Sequence, residues 1–432
     1  MGELVGLLPL VFVGVDWGSV EHRVVVLDAA GKQMREWTSR HSGEALRELA
    51  DRLAAFVEHA SSCRVAIEVK AGPIVEALLE RGLSVYAVNP RQTDRFRDRY
   101  MPSGAKDDRR DAFVLANAVR TDAEQLARLS SRDRRTIALS AALRLRHELV
   151  DDRTRLLLRL REQLWRYYAQ MIEIADGEFD SPWLWALWEK APTPAEGALL
   201  KKVTVARILK DHRVRRIDAD AVLAALRKPA LVVADGVPLA ACRHIHSIIP
   251  RLRLLSSQIR EVQTDIEQQV ELWSKLDSGP ADSAPSSSAP DDPDEPRKRE
   301  QRDEVILRSL PGVGLITLAT LLAEVREPLE RRDYATLRLL CGVAPITRQS
   351  GGSKVVLMRR ACSEVLRNAT FNWARSAVRF DAHCATRFAN LRARGAKPAR
   401  AYRSVADHLL RVACAMLRDN TEYRLAPRGN AA

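Results

Sequence analysis

The chain has 432 residues, with 69 Lys and Arg against 56 Asp and Glu and a formal net charge of +13. That length predicts two or three domains, each able to bury a core, and 46% hydrophobic with 29% charged residues excludes a fibrous or wholly disordered protein. The positive excess points to a polyanionic partner, because Lys and Arg that neutralise phosphates release condensed counterions. Charge alone does not separate DNA, RNA and membrane. The six cysteines are scattered without a CxxC pair and read as buried thiols of a reducing compartment. The apolar start MGELVGLLPLVFVGVDWG lacks a basic leader and runs straight into a core strand, so the expectation is a cytoplasmic protein with neither signal peptide nor membrane span.

In chain order, VFVGVDWG and VEHRVVVLDA read as strands, and DAAGK as the turn of a hairpin leading to QMREWTS. Ser42 opens a helix whose Leu46, Leu49, Leu53 and Phe56 recur at helical spacing. A strand CRVAIEV, a helix PIVEALLERG with Pro at its start and Gly at its end, and a strand SVYAVN follow. The order is βββαβαβα, and a first domain is expected over 10–125. Residues 126–276 are rich in Leu, Arg, Glu and Ala, with ALVVA near Pro229 as the one strand-like run. Leucines at three- and four-residue steps from Leu139 predict a long helix or antiparallel coiled coil, with a second arm from Ile248 to Leu272 and a helical insertion between them. Residues 277–301, DSGPADSAPSSSAPDDPDEPRKREQ, read as a flexible linker. The domain over 302–432 opens with a helix, the turn LPGVG and another helix, and is mainly helical to its end.

Four carboxylates of the first domain are brought together by that strand order. Asp16 lies on the first strand and Glu68 within the strand VAIEV, while Asp108 and Asp111 begin a helix and project from nearly one face. Clustered hard oxygens repel one another unless a cation neutralises them, and Mg²⁺ favours carboxylates with water and phosphate oxygens. One or two such ions would clamp the attacking and leaving oxygens of a phosphodiester. Each acid also has a plainer reading as a turn former or helix cap. Glu68 among Val65, Ala66, Ile67 and Val69 is costly without a partner, which Lys70 or Lys106 could supply in place of metal.

Taken together, VGVDWGS, AIEVKAG, NPRQTDRFR and SGAKDDRRDA, followed by the distal LPGVG and GVAPITRQSGGSK, resemble the DEDD-type transposases of bacterial insertion sequences, relatives of the Piv and MooV DNA invertases that are guided by a bridge RNA. Both motif sets occur in the family's order; the linker and the central insertion are unlike a compact member. The resemblance implies an RNase H-like (RuvC-like) first domain whose Asp16, Glu68, Asp108 and Asp111 bind Mg²⁺. Asp107 adjoins Asp108, but Asp108 keeps the family's three-residue step to Asp111. It further implies a serine nucleophile in the C-terminal domain, which the motif places at Ser350, a DNA substrate, a structured guide RNA, and a homo-oligomer, dimer or tetramer.

From the residues themselves, Ser350 stands beside glycines that let backbone approach a phosphate. No histidine is near to activate it. Metal at the tetrad would answer this need, with Arg348, Lys354, Arg359 and Arg360 holding the phosphate. Ser353 is the rival in the same loop. The LPGVG turn, through Gly312 and Gly314, would clamp a DNA backbone or else form a packing corner. Upstream, Arg91, Arg95, Arg97 and Arg99 interleave with Phe96 and Tyr100, and Lys106, Arg109 and Arg110 follow. This pattern suits nucleic acid, although Asp94 and Asp98 also fit a solvated charged face. Trp183, Trp185 and Trp188 read as helix-packing core. Three competing functions stand beside the recombinase. An actin-like or sugar-kinase ATPase lacks its second phosphate loop here, a structure-specific nuclease would use water and need no serine loop, and a non-catalytic nucleic-acid binder needs only the basic surface.

Overall fold

A computed structural model describes residues 9–100, 107–131, 133–274 and 303–424. The linker expected over 277–301, and Lys106, lie outside the described residues. The chain divides into two compact units, Met1–Asp133 and Arg134–Ala432.

The first unit is a mixed six-stranded sheet in the order β3-β2-β1-β4-β5-β6. Its strands are β1 (Val11–Asp16), β2 (Glu21–Leu27), β3 (Gln33–Arg40), β4 (Cys63–Ile67), β5 (Ser84–Ala87) and β6 (Ala127–Arg128). The first three form an antiparallel meander, β1, β4 and β5 run parallel, and β6 returns antiparallel to β5. Alternation along β1 separates two cores. Val11, Val13 and Val15 face the helices α1 (Gly43–Ala54) and α2 (Pro73–Glu80), while Phe12 packs with Ala112, Leu115, Ala116 and Val119 of α4 (Asp108–Asp122). The segment α3 (Pro90–Tyr100) lies against α4.

Local chemistry fixes these helices. In α1, the side chain of Ser42 accepts from the Ala45 amide, and Leu46, Leu49, Ala50 and Leu53 turn inward at helical spacing. Asp107 caps α4 by accepting from the Arg109 amide. Gly14 is what lets α4 sit on the sheet, since a Cβ there would collide with the carbonyl oxygen of Ala112.

In the second unit, α5 (Arg134–Tyr167) and α11 (Gly236–Ser274) form an antiparallel pair. Leu139 and Leu143 near the start of α5 share a core with Ile266 and Val270 near the end of α11. At the opposite end, Leu156, Leu160 and Leu164 pack with Ile245, Ile249 and Leu252. That end also carries the insertion, α6 (Ala169–Ala175), α7 (Pro182–Lys190), α8 (Pro194–Ala198), α9 (Lys202–Asp211) and α10 (Ala219–Leu226). Trp183, Trp185 and Trp188 are buried in its core, and the Trp185 and Trp188 indoles donate to the Phe179 carbonyl and the Tyr167 hydroxyl. The ALVVA run is not a strand: Leu231 and Val232 are exposed, Val233 packs against the core of the insertion, and among the described residues no strand pairs with it.

The other end of the pair shares its core with the C-terminal helices: α12 (303–309), α13 (Leu315–Glu324), α14 (Arg326–Glu330), α15 (Tyr334–Leu340), α16 (Glu364–Phe380), α17 (Ala382–Ala393) and α18 (Pro398–Asp419). Between α15 and α16 stands one hairpin, β7 (Ile346–Ser350) and β8 (Ser353–Leu357). Among the described residues, no helix is long and apolar enough to cross a membrane. All six cysteines are free, and burial pushes the thiols of Cys63, Cys341 and Cys384 up to about 12, which keeps them protonated and unreactive.

Candidate functional site

The parallel register of β1 and β4 aligns Val15 with Ile67, so Asp16 and Glu68 stand side by side at the carboxyl ends of neighbouring strands. Glu68 is one residue beyond β4 and half-buried, not within the strand as its apolar neighbours predict. The sheet ends there, and the carboxylate reaches the solvent-facing rim instead of a dry interior. Asp16 shares its face of β1 with Gly14, the residue on which α4 packs.

The helix α4 runs antiparallel to β1. Its Ala112 and Ala116 lie over Gly14, and Arg120 near its end reaches Gly31 in the turn after β2, at the far end of β1. Its first turn, with Asp108 and Asp111, therefore points toward the end of the sheet that carries Asp16 and Glu68. Asp108 is exposed and Asp111 is buried, at 5% exposure. The neighbouring Asp107 is committed to capping.

Asp111 has a built-in counter-charge. The Arg97 Nε donates to its Oδ1 at 2.8 Å, and the Arg97 Nη1 donates to Asp94 at 2.9 Å. These bonds raise the Arg97 guanidinium above its usual range. Four carboxylates are the donor chemistry Mg²⁺ prefers, and the sheet and α4 bring them to one edge. Among the described residues, however, no three acidic, His or Cys side chains stand close enough to enclose an ion.

A pair of histidines that the sequence reading missed braces the turn after Asp16. The fully buried His22 accepts from the Gly18 amide at Nδ1, 3.4 Å, and its Nε2 lies 3.0 Å from Nδ1 of His41. Accepting at Nδ1 leaves the His22 proton on Nε2 for donation to His41. Burial, then the neighbouring His41, lower the His22 pKa. The signal was present, since on β2 His22 falls on the same inward alternation as Val24 and Val26.

The basic stretch behaves unevenly. Arg97 pairs with Asp111, Arg109 with Glu36 at 2.7 Å and Arg99 with Asp122 at 3.7 Å, while Arg91, Arg95 and Arg110 have no ion pair among the described residues. Three of the arginines predicted to meet nucleic acid thus have carboxylate partners within the protein, of which only the Arg97–Asp111 pair is largely buried, while Arg99 and Arg109 stay more than half exposed.

Ser350 closes β7 directly opposite Ser353 of β8, across the two-residue turn Gly351-Gly352. Gly351 has φ 54°, the left-handed region that a Gly-first hairpin turn demands. The loop expected from the sequence is therefore a hairpin, and GG flanked by ITRQS and SKVVL was the signal for it. Both strands are exposed almost throughout. Arg348, Lys354, Arg359 and Arg360 make no ion pairs among the described residues, and the Arg359 Nε is buried without a partner.

The LPGVG turn is in large part a packing corner. A Cβ at Gly312 would collide with the backbone of Ala377 on α16, and the Trp373 indole donates to the Pro311 carbonyl at 3.0 Å. Gly314 remains exposed at the start of α13.

A nuclease-like mixed α/β unit with acids at its strand ends, followed by a mostly helical remainder, defines the class. Sequence comparison supplies the family. The DEDD-type IS110 model, described as "Transposase", matches residues 13–169, and the model "Transposase IS116/IS110/IS902 family" matches residues 304–389, together more than half of the chain. The chain belongs to the IS110 family of transposases.

It is similar to "Putative transposase y4uE" of Sinorhizobium fredii, 44% identical over 210 residues that cover 48% of this chain and 58% of that protein. It is also similar to "Mini-circle putative transposase for IS117" of Streptomyces coelicolor, 29% identical over 85% of this chain and 84% of that protein. A third relative, "Insertion element IS110 uncharacterized 43.6 kDa protein" of the same organism, is 27% identical over 96% of this chain and 95% of its own.

Proposed function

We propose that this chain cuts and rejoins DNA for a bacterial insertion sequence, with the first unit as an RNase H-like catalytic domain and Ser350 as the nucleophile. The observation that carries the reading is the side-by-side placement of Asp16 and Glu68, with the first turn of α4 directed to the same edge. In domain terms, residues 10–125 hold the acids, 126–276 the helical arms and insertion, 277–301 a linker, and 302–432 the serine hairpin.

Asp16, Glu68, Asp108 and Asp111 would hold one or two Mg²⁺ ions, which supply charge neutralisation for a phosphodiester in displacement. In the reaction the Ser350 Oγ attacks phosphorus. The Oγ–P bond forms as a P–O bond of the DNA breaks, the serine proton is lost, and the departing DNA oxygen gains one. The hydroxyl of a second DNA end then displaces Ser350 by the reverse exchange, joining the new strands. Exposure of Ser350 at a hairpin tip supports this role, because an extended duplex can reach it, and the unpaired Arg348 and Lys354 on the same strands are free to meet its phosphates. A structured RNA from the element guides the choice of DNA, and the active form is a dimer or tetramer.

The test is strand exchange by the full chain on DNA carrying the element's ends, with Mg²⁺ and RNA transcribed from the element. Ser350→Ala is expected to abolish both the protein–DNA adduct and the rejoined product, and Ser353→Ala to leave them. Cutting that persists in Ser350→Ala without any adduct would replace the recombinase by a nuclease that uses water. Sequencing the nucleic acid that co-purifies with active protein tests the guide; active preparations free of a discrete RNA would remove it.

A further inference from the structure

Where the β8 strand leads into α16, the second unit holds a cavity of about 170 Å³. Cys341, Val343, Met358 and Phe371 form apolar walls, and Asn368 and Arg403 bring the polar groups. Phe371 is held in place by other rings, edge-to-face on Tyr402 at 5.4 Å, with Tyr402 against Phe388 at 4.4 Å. It cannot collapse to fill the space without breaking that cluster. Asn368 and Met358 are exposed, so the cavity opens to solvent on the side of the hairpin.

Arg403, on α18, is half-buried and has no carboxylate partner among the described residues; burial and the neighbouring Arg400 push its pKa down. The cavity's other arginine, Arg367, spends its charge on Glu364 at 2.6 Å. A guanidinium partly withdrawn from water without a counter-charge is unfavourable, so this arrangement is completed by a ligand that offers acceptor oxygens or nitrogens. The volume is below the roughly 300–1,000 Å³ of pockets for drug-sized ligands and suits one planar ring. A held aromatic wall, an amide and an uncompensated guanidinium are the groups by which proteins take single unstacked bases.

We propose that this cavity receives one unstacked nucleobase of the nucleic acid bound at the β7–β8 hairpin. The ring lies among Met358, Val343 and Phe371, and Asn368 and Arg403 donate to acceptor atoms on the base edge and the adjoining phosphate. The inference rests on the reading of the hairpin as a nucleic-acid surface, and it adds a site where sequence or strand geometry is sensed by extruding a base.

The experiment measures binding of the full chain to short duplexes that carry a single bulged 2-aminopurine, compared with duplexes in which the bulge is an abasic residue, each made in DNA and in RNA. The bulged base is expected to bind on the order of tenfold tighter than the abasic control, the gain typical of one stacked base, with a change in 2-aminopurine fluorescence. In Arg403→Gln and, independently, in the exposed Asn368→Ala, the ratio is expected to fall toward one. A preference confined to the DNA or the RNA series identifies which strand supplies the base. Equal binding of bulged and abasic duplexes, or an unchanged ratio in both variants, overturns the pocket while leaving the hairpin reading intact. Absence of binding to every duplex sinks the hairpin reading as well.

Discussion

Asp111 and Ser350 sit on scaffolds of opposite character. Asp111 is buried in the first turn of α4 against Arg97, with its charge balanced inside the protein. Ser350 stands on a two-stranded hairpin that is exposed on nearly all sides and whose cations have no internal partners among the described residues. On the proposed function, the acids that would need fixed geometry are built on central strands, and the serine that would reach an external phosphodiester is carried on an element that gives up packing for access, at the cost of marginal intrinsic stability.

Gly14→Val should break the rigid side most severely. Its side chain has nowhere to go but into the Ala112 carbonyl, so overpacking of about 3 kcal/mol or more is expected, read as a lowered urea midpoint and lost strand exchange. A stable, active Gly14→Val protein would mean that α4 does not depend on close approach to β1.

Arg97→Met comes next. It leaves the Asp111 carboxylate buried without its partner, at a cost of about 3 kcal/mol. If the acid edge binds divalent metal, millimolar Mg²⁺ should return part of that loss as a higher melting temperature, a gain that Asp16→Asn in the same background should remove. Equal melting temperatures with and without Mg²⁺ would argue against metal at this edge.

Gly351→Val tests the soft side. Nothing lies within 4 Å of a Cβ there, but φ 54° is strained for a β-branched residue. A penalty of about 1–2 kcal/mol should fall on the hairpin, so global stability stays close to wild type while adduct formation at Ser350 drops. A global destabilisation like that of Gly14→Val would show that the hairpin is coupled to the core.

The smallest effect concerns pH. The His22 pKa is lowered in the folded state, so the unfolded chain binds the proton more readily. The stability tied to neutral His22 is present above the ordinary imidazole pKa of about 6.5. It is lost as pH falls below that value through the lowered folded pKa. Melting curves from pH 7.5 to 5 should decline less steeply in His22→Gln than in wild type; parallel declines would assign the acid sensitivity elsewhere, for instance to His408, whose pKa burial also lowers.

The β-strands of the first unit were legible because period-two alternation and turn residues are local signals, and so was α1, whose cap and apolar stripe agree. The short β6 was not, since two residues carry no period. The hairpin was masked by a polar, glycine-rich composition that also describes a loop. Asp16, Glu68, Asp108 and Asp111 could be picked out as chemistry-bearing residues and ordered along the chain. Which arginines would face outward could not be read, because Arg97, Arg99 and Arg109 look like Arg91 and Arg95 in one dimension.

The amino-acid sequence by itself determined the basic excess and the order of elements, which follow from residue identity and from periods of a few residues, and it offered the acids and, through the family resemblance, the serine as candidates. Only the tertiary structure decided that Glu68 lies on a rim, that Arg97 neutralises Asp111, that Gly312 packs on α16 while Gly314 stays open, and that Phe371 and Arg403, thirty-two positions apart, line one cavity. Those outcomes depend on which distant surfaces meet, and burial and pairing between distant residues leave no mark on local sequence pattern.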